Sequence, residues 1–130
     1  MARPKSTLLT DREAEIMAAL WQLKSATADE IRVRLSAQPH DSTVRTLLRV
    51  LVSKGHVVVD NRARPAAYKP RVKQSSVRTR AAQDILKRFF GGSAEELVLH
   101  LLEDKRLSLK QLEELERKHR TRSTKKETRQ

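Results

Sequence analysis

Five side chains between positions 42 and 49 have the chemistry of contacts to nucleic acid. Ser42, Thr43, Arg45, Thr46 and Arg49 supply hydroxyls and guanidinium groups, and no acidic residue follows Asp41 in this stretch. An arginine fork makes paired hydrogen bonds to the acceptor edge of guanine, while serine and threonine hydroxyls reach base edges or phosphates. Their placement follows from their neighbours. Val44, Leu47, Leu48, Leu51 and Val52 recur at i, i+3, i+4, i+7 and i+8, an apolar helical stripe. The polar set is thereby forced onto the opposite face, towards the N-terminal end, where the helix dipole favours phosphate oxygens. That face also lacks the Glu–Lys pairs a merely solvated helix tends to carry. Two further arginines, Arg62 and Arg64, fall in the turn-like stretch 60–65, between Val57-Val58-Val59 and a returning strand over 66–72 centred on Tyr68. At the tip of such a hairpin they are expected to touch phosphates or probe the minor groove, adding affinity more than sequence choice.

No catalytic constellation accompanies them. Phosphate-cradling glycine loops, a nucleophile elbow and the paired-histidine zinc motif are all absent. The four histidines, His40, His56, His100 and His119, lie far apart, and the nearest metal-like spacing is Glu96 with His100. Both residue types are common on solvated helices, so no metal site is expected there. Zero cysteines exclude disulfides, thiolate-held zinc, iron–sulfur clusters and thiol catalysis. The chain reads as non-enzymatic, without a cofactor.

Local signals define the elements that must hold these residues. Thr10 and Glu13 make a capping box ahead of Ile16, Met17, Leu20 and Trp21, an inward-facing helical set. Ser25-Ala26 interrupts the pattern; a second box, Thr27 with Glu30, opens a short helix burying Ala28, Ile31 and Leu35. Pro39-His40-Asp41 breaks the chain, and the third helix runs from 41 or 42 to about 54, stopped by Gly55. Three helices and a basic hairpin predict the winged form of the helix-turn-helix, with the third helix as the reading element. From about 75 a new stripe, Val77, Ala81, Ile85, Leu86, Phe89 and Phe90, stops at Gly91-Gly92. Boxes at Ser93 with Glu96 and at Ser108 with Gln111 open two more helices, with Leu97, Val98, Leu101 and Leu102, then Leu109, Leu112 and Leu115. Three short helices make too small a core to stand alone, so a second copy is expected to complete them. Ile85, Phe89, Phe90, Leu97, Leu101, Leu102 and Leu112 are the expected dimer contacts. The predicted fold class is mainly α with a small β-hairpin: a basic arm over 1–8, a winged helix over 9–73, a three-helix dimerisation region over 74–118, and a basic disordered tail over 119–130.

Charge supports the division. Of 130 residues, 28 are Lys or Arg and 16 Asp or Glu, a formal +12. Residues 1–80 hold 16 basic and 7 acidic side chains, 81–116 hold 5 and 8, and 117–130 hold 7 and 1. Basic ends around a slightly acidic middle suit a polyanion binder with a separate helical region. At 38% hydrophobic the chain buries a modest core, and no apolar run reaches the roughly 18 residues of a membrane span. A cytoplasmic protein whose partners are double-stranded DNA and a second copy of itself is expected. The competing expectation is an architectural protein that coats DNA through charge alone.

Several strings in order resemble the BlaI/MecI family of penicillinase and methicillin-resistance repressors: LTDREAEIMAALW over 9–21, STVRTLLRVLVSKG over 42–55, FFGGSAEELVLHLLED over 89–104 and LSLKQLEELE over 107–116. The resemblance implies a winged-helix transcriptional repressor acting as a homodimer on a palindromic operator, its C-terminal helices exchanging contacts across the dimer. Thr43-Val44-Arg45-Thr46 matches the start of that family's recognition helix. The resemblance further implies derepression by a membrane-sensor pathway that leads to cleavage, the matching bond being His100–Leu101, where the staphylococcal proteins have Asn-Phe. A copper-responsive branch senses through a cysteine-rich tail, a route closed to a chain without cysteine.

Overall fold

The computed structural model describes residues 8–128, with side chains described through Thr124; apart from Leu8, the basic arm expected at 1–8 lies outside them. The elements in order are α1 (Asp11–Leu23), β1 (Ala26–Thr27), α2 (Ala28–Arg32), α3 (Asp41–Ser53), β2 (Val57–Asp60), β3 (Ala67–Pro70), α4 (Gln74–Phe89), α5 (Ala94–Glu103) and α6 (Leu109–Thr128). The chain divides into two compact units, up to Ala82 and from Gln83 onward, so α4 belongs to both.

In the first unit the capping signals act as expected. Thr10 and Glu13 exchange both bonds of a capping box at the start of α1, and Thr27 with Glu30 do the same for α2. This satisfies donors that the first turn of a helix leaves without partners. The inward stripes then meet: Ile16, Met17, Leu20, Ile31, Val44, Leu48 and Leu51 are fully buried, with Leu35, Ala28 and Val57 beside them. Trp21 is half-buried against this cluster and donates its indole N–H to the Val72 carbonyl at 2.9 Å, tying the end of α1 to the chain after β3. Gly55, at φ +82°, closes α3. Its N–H reaches the Val52 carbonyl at 3.0 Å and the His56 N–H reaches Leu51 at 3.0 Å, the paired bonds of a Schellman cap.

Ser25-Ala26, expected only as an interruption, instead opens onto β1. Ala26 pairs with Tyr68 and Thr27 with Ala67, so the expected two-stranded hairpin is a three-stranded antiparallel sheet in the order β1-β3-β2. A two-residue strand is too short to carry an alternating pattern, and only its partner makes it a strand. β3 is also shorter than the 66–72 expected, because Pro70 has no N–H for the ladder.

In the second unit no residue of α4 or α5 is fully buried. Ser93 accepts the Glu96 N–H at the start of α5, and Ser108 and Gln111 exchange two bonds before α6. Within the stretch expected to be a disordered tail, α6 continues over 119–128, ending at Thr128, and positions 129 and 130 lie outside the described residues. Low hydrophobicity argues for disorder, but Lys, Arg and Glu are good helix formers and neither Gly nor Pro interrupts 119–128. Glu116 pairs with Arg120 at i, i+4, and the Thr121 and Thr124 hydroxyls bond to the carbonyls of Arg117 and Arg120.

Candidate nucleic-acid interface

α3 presents the polar face that its apolar stripe demands. Val44, Leu48 and Leu51 are sealed in the core, while Ser42, Thr43, Arg45, Thr46 and Arg49 are all exposed. At about 1.5 Å per residue this helix is about 20 Å long, a length that lies along a major groove.

The residue that starts α3 escaped sequence reasoning. His40 is the N-cap: its Nδ1 accepts the Ser42 backbone N–H at 3.2 Å and lies 2.9 Å from the Ser42 hydroxyl. Histidine is not among the usual capping residues, so its only sequence signal is its place after Pro39. Arg45 brings a second correction. Four residues before it, Asp41 accepts from Nε at 2.9 Å, so this face does carry an i, i+4 ion pair. The terminal guanidinium nitrogens, those that pair with guanine, take no part in the contact. The Thr46 hydroxyl is turned onto the Ser42 carbonyl at 2.9 Å, which leaves its lone pairs and methyl group for an incoming partner.

The turn before α3 is held from α1. Glu15 accepts from both the backbone N–H and the hydroxyl of Ser36 at 3.0 Å, and Arg12 donates to the Ser36 carbonyl at 2.8 Å. These Ser36 bonds hold the Glu15 carboxyl below its ordinary pKa, with Arg12 adding to the effect. The strained corner lies beside them, with Ala37 at φ +59° and Gln38 at +31°. The far end of α3 is fixed through Glu13, only 1% exposed, whose carboxylate accepts from Lys54 Nζ at 2.9 and 3.0 Å and from the Thr10 N–H at 2.8 Å. Burial pushes the Glu13 carboxyl up, yet the bonds from Thr10 and Lys54 outweigh it and the net direction is down. Neighbouring His56 is buried, and desolvation, with Lys54 and Arg80 nearby, lowers its pKa against a small opposing pull from Glu13.

The wing pairs Val57 with Pro70, Val58 with Lys69, Val59 with Tyr68 and Asp60 with Ala67. Arg62 stands at its tip, its side chain 94% exposed, with backbone N–H and Nε both directed to Asp60 Oδ1 at 3.0 and 3.3 Å. Arg64 is exposed in the same loop. Asp41 raises the pKa of Arg45. Val57 of β2 is buried in the same cluster as Val44, Leu48 and Leu51, and Tyr68 of β3 packs against that cluster, so the first unit brings α3 and the wing together.

The sequence profile described as penicillinase repressor matches residues 9–120. The chain belongs to the penicillinase repressor family. It is 30% identical over 109 residues to a penicillinase repressor of Bacillus licheniformis, covering 82% of this chain and 85% of that one. To the penicillinase repressor of Staphylococcus aureus it is 27% identical over 113 residues, 85% of this chain and 90% of the other. The methicillin resistance regulatory protein MecI of Staphylococcus aureus strain N315 is also 27% identical, over 85% and 92%. The family match spans α1 to α5 and the first part of α6. In this penicillinase repressor family member the expected dimer contacts lie in α4, α5, α6 and the α4–α5 link. Ile85 and Phe89 are exposed, and Phe90, Leu97, Leu101, Leu102 and Leu112 half-buried. Leu99, Leu109 and Leu115 are exposed as well. Leu99 falls off the main stripe of α5, beside Val98 and Ala94 at a shallow apolar depression. His100 packs edge-on against Phe90 with ring centroids 5.8 Å apart, an apolar partner rather than a ligand set. Among the described residues no three His, Asp or Glu side chains are grouped to hold a metal ion, and no helix is long and apolar enough to cross a membrane.

Proposed function

We propose that the protein is a transcriptional repressor that binds a pseudo-palindromic operator as a homodimer. One observation carries this reading: an α3 face of exposed hydroxyls and guanidinium groups on a sealed core, next to a wing tipped with Arg62 and Arg64. Ser42, Thr43, Arg45, Thr46 and Arg49 contact the major groove, with Arg45 and the hydroxyls choosing bases. Arg62 and Arg64 contact phosphates. Repression is the role named for the relatives. Dimerisation is supported by the uncovered apolar side chains of the second unit, including Phe89 at 68% exposure. Two reading helices related by a two-fold axis require half-sites at a fixed spacing.

Selection of bound sites from a random duplex library at near-physiological salt tests this, because non-specific phosphate attraction is suppressed there. An inverted repeat with constant spacing is the expected outcome. Binding without a motif that vanishes as salt rises would instead establish an architectural DNA coat.

Release from the operator follows cleavage of His100–Leu101 by a pathway that starts at a membrane sensor. The bond lies inside α5, and a protease needs extended backbone, so α5 must first unwind locally. Cleavage would sever α6 and part of the apolar set from the reading unit. An intact band after induction of the native host would overturn this step.

A further inference from the structure

α6 changes character midway. Residues 109–116 place three leucines among three glutamates, whereas 117–126 hold six lysines and arginines, no Asp or Glu and no large apolar side chain. The helix dipole accounts for basic residues in the last turn only, and this run begins well before it. Arg117, Lys118, Thr121 and Arg122 are exposed and, with Glu114 at the upstream edge, line one shallow depression. Their spacing puts them on one face of the helix. The nearby carboxylate of Glu116 is engaged with Arg120. Among the described residues, Arg117, Lys118 and Arg122 take part in no ion pair.

A basic stripe without an apolar face suits neither helix packing nor a bilayer surface, both of which require apolar burial. It suits a regular array of anions. We propose that the C-terminal half of α6 is a second DNA-contacting surface, which grips the phosphate backbone and adds affinity without sequence choice. This rests on the DNA-binding reading above.

The test uses the full chain and a variant carrying Arg117→Gln, Lys118→Gln and Arg122→Gln. Each is titrated with salt against two duplexes of equal length, one carrying the selected operator and one of scrambled sequence. Each phosphate contact contributes about 0.9 to the slope of log K against log salt, so the variant's slope should fall by roughly three on both. The ratio of the two affinities at a given salt concentration should stay unchanged. A second variant, Arg117→Lys with Arg122→Lys, keeps the charge and should keep the slope, and circular dichroism checks that α6 persists in both. Equal slopes for variant and unaltered chain on both duplexes overturn the proposal, as does a loss confined to the operator. Loss confined to poly-glutamate binding would assign the stripe to an acidic protein and also overturn it. Failure of the unaltered chain to bind either duplex at low salt would sink the DNA-binding reading itself, and this proposal with it.

Discussion

Arg45 is partly positioned before any partner arrives, because Asp41 holds its Nε while the terminal nitrogens take no part in the pair. Restraining a long side chain in advance lowers the entropy lost on binding. Replacing it by alanine should weaken operator binding about ten- to a hundred-fold and relax base preference at its position, as read by competition between operator variants. Arg64→Ala, at the wing tip, should weaken all sequences about equally and reduce the salt slope by about one. Unchanged operator affinity in the Arg45→Ala protein would remove α3 as the reading element. His56 and Glu13 make a second residue-scale expectation. His56 is buried with its pKa lowered, so below its ordinary value near 6.5 the unfolded chain binds the proton more readily. Glu13, also lowered, adds a loss as pH falls past its ordinary 4.5. Both stabilising contributions are complete at neutral pH and disappear on acidification. The melting temperature should therefore drop in two stages, and His56→Gln should remove the upper one. A flat melting temperature from about pH 7.5 to about 5.5 would contradict the burial argument.

Both ends of α3 are terminated by specific contacts, and this decides how rigidly its exposed polar face is held. His40 caps the start, Glu15 and Arg12 pin the preceding turn at Ser36, and Gly55 closes the end with Lys54 anchored to Glu13. Nothing lies within 4 Å of a Cβ built on Gly55, so space is not the obstacle to a side chain there. The left-handed backbone is. Gly55→Ala should cost about 1–2 kcal/mol in denaturant unfolding, with the core otherwise intact. A cost near zero would mean the cap relaxes into another geometry. Helix starts marked by Thr10, Thr27, Ser93 and Ser108 were legible in the sequence because each side chain bonds only three residues away. β1, the Ser36 clamp and the His40 cap were not, since each depends on a partner or a setting that spacing alone does not define.

Across the whole molecule, charge and apolar surface are separated along the chain: residues 1–80 and 117–130 are basic, and the stretch between them leaves Ile85, Phe89, Leu99, Leu109 and Leu115 exposed. Phe89 carries the most exposed aromatic ring of that region, with the Arg88 guanidinium 5.2 Å from its centroid. If a second copy covers it, Phe89→Ser should cost at least about 2 kcal/mol of association, some thirty-fold in the dimer Kd. Sedimentation at falling concentration would read this directly. A chain that stays monomeric at high concentration, or a variant that dimerises as well as the unaltered protein, would remove Phe89 from the interface.

The amino-acid sequence by itself determined the properties that repeat locally. Helical spacing sorted Val44, Leu48 and Leu51 from Thr43, Arg45 and Arg49, and the strings over 9–116 carried the family resemblance. Periodicity needs no knowledge of what lies opposite, since a helix has the same pitch wherever it packs. Tertiary structure alone decided which distant groups meet: Glu13 with Lys54, Trp21 with Val72, Ala26 with Tyr68. Those contacts depend on chain segments 41 to 51 residues apart being brought together by burial of the shared core, and no local spacing encodes them.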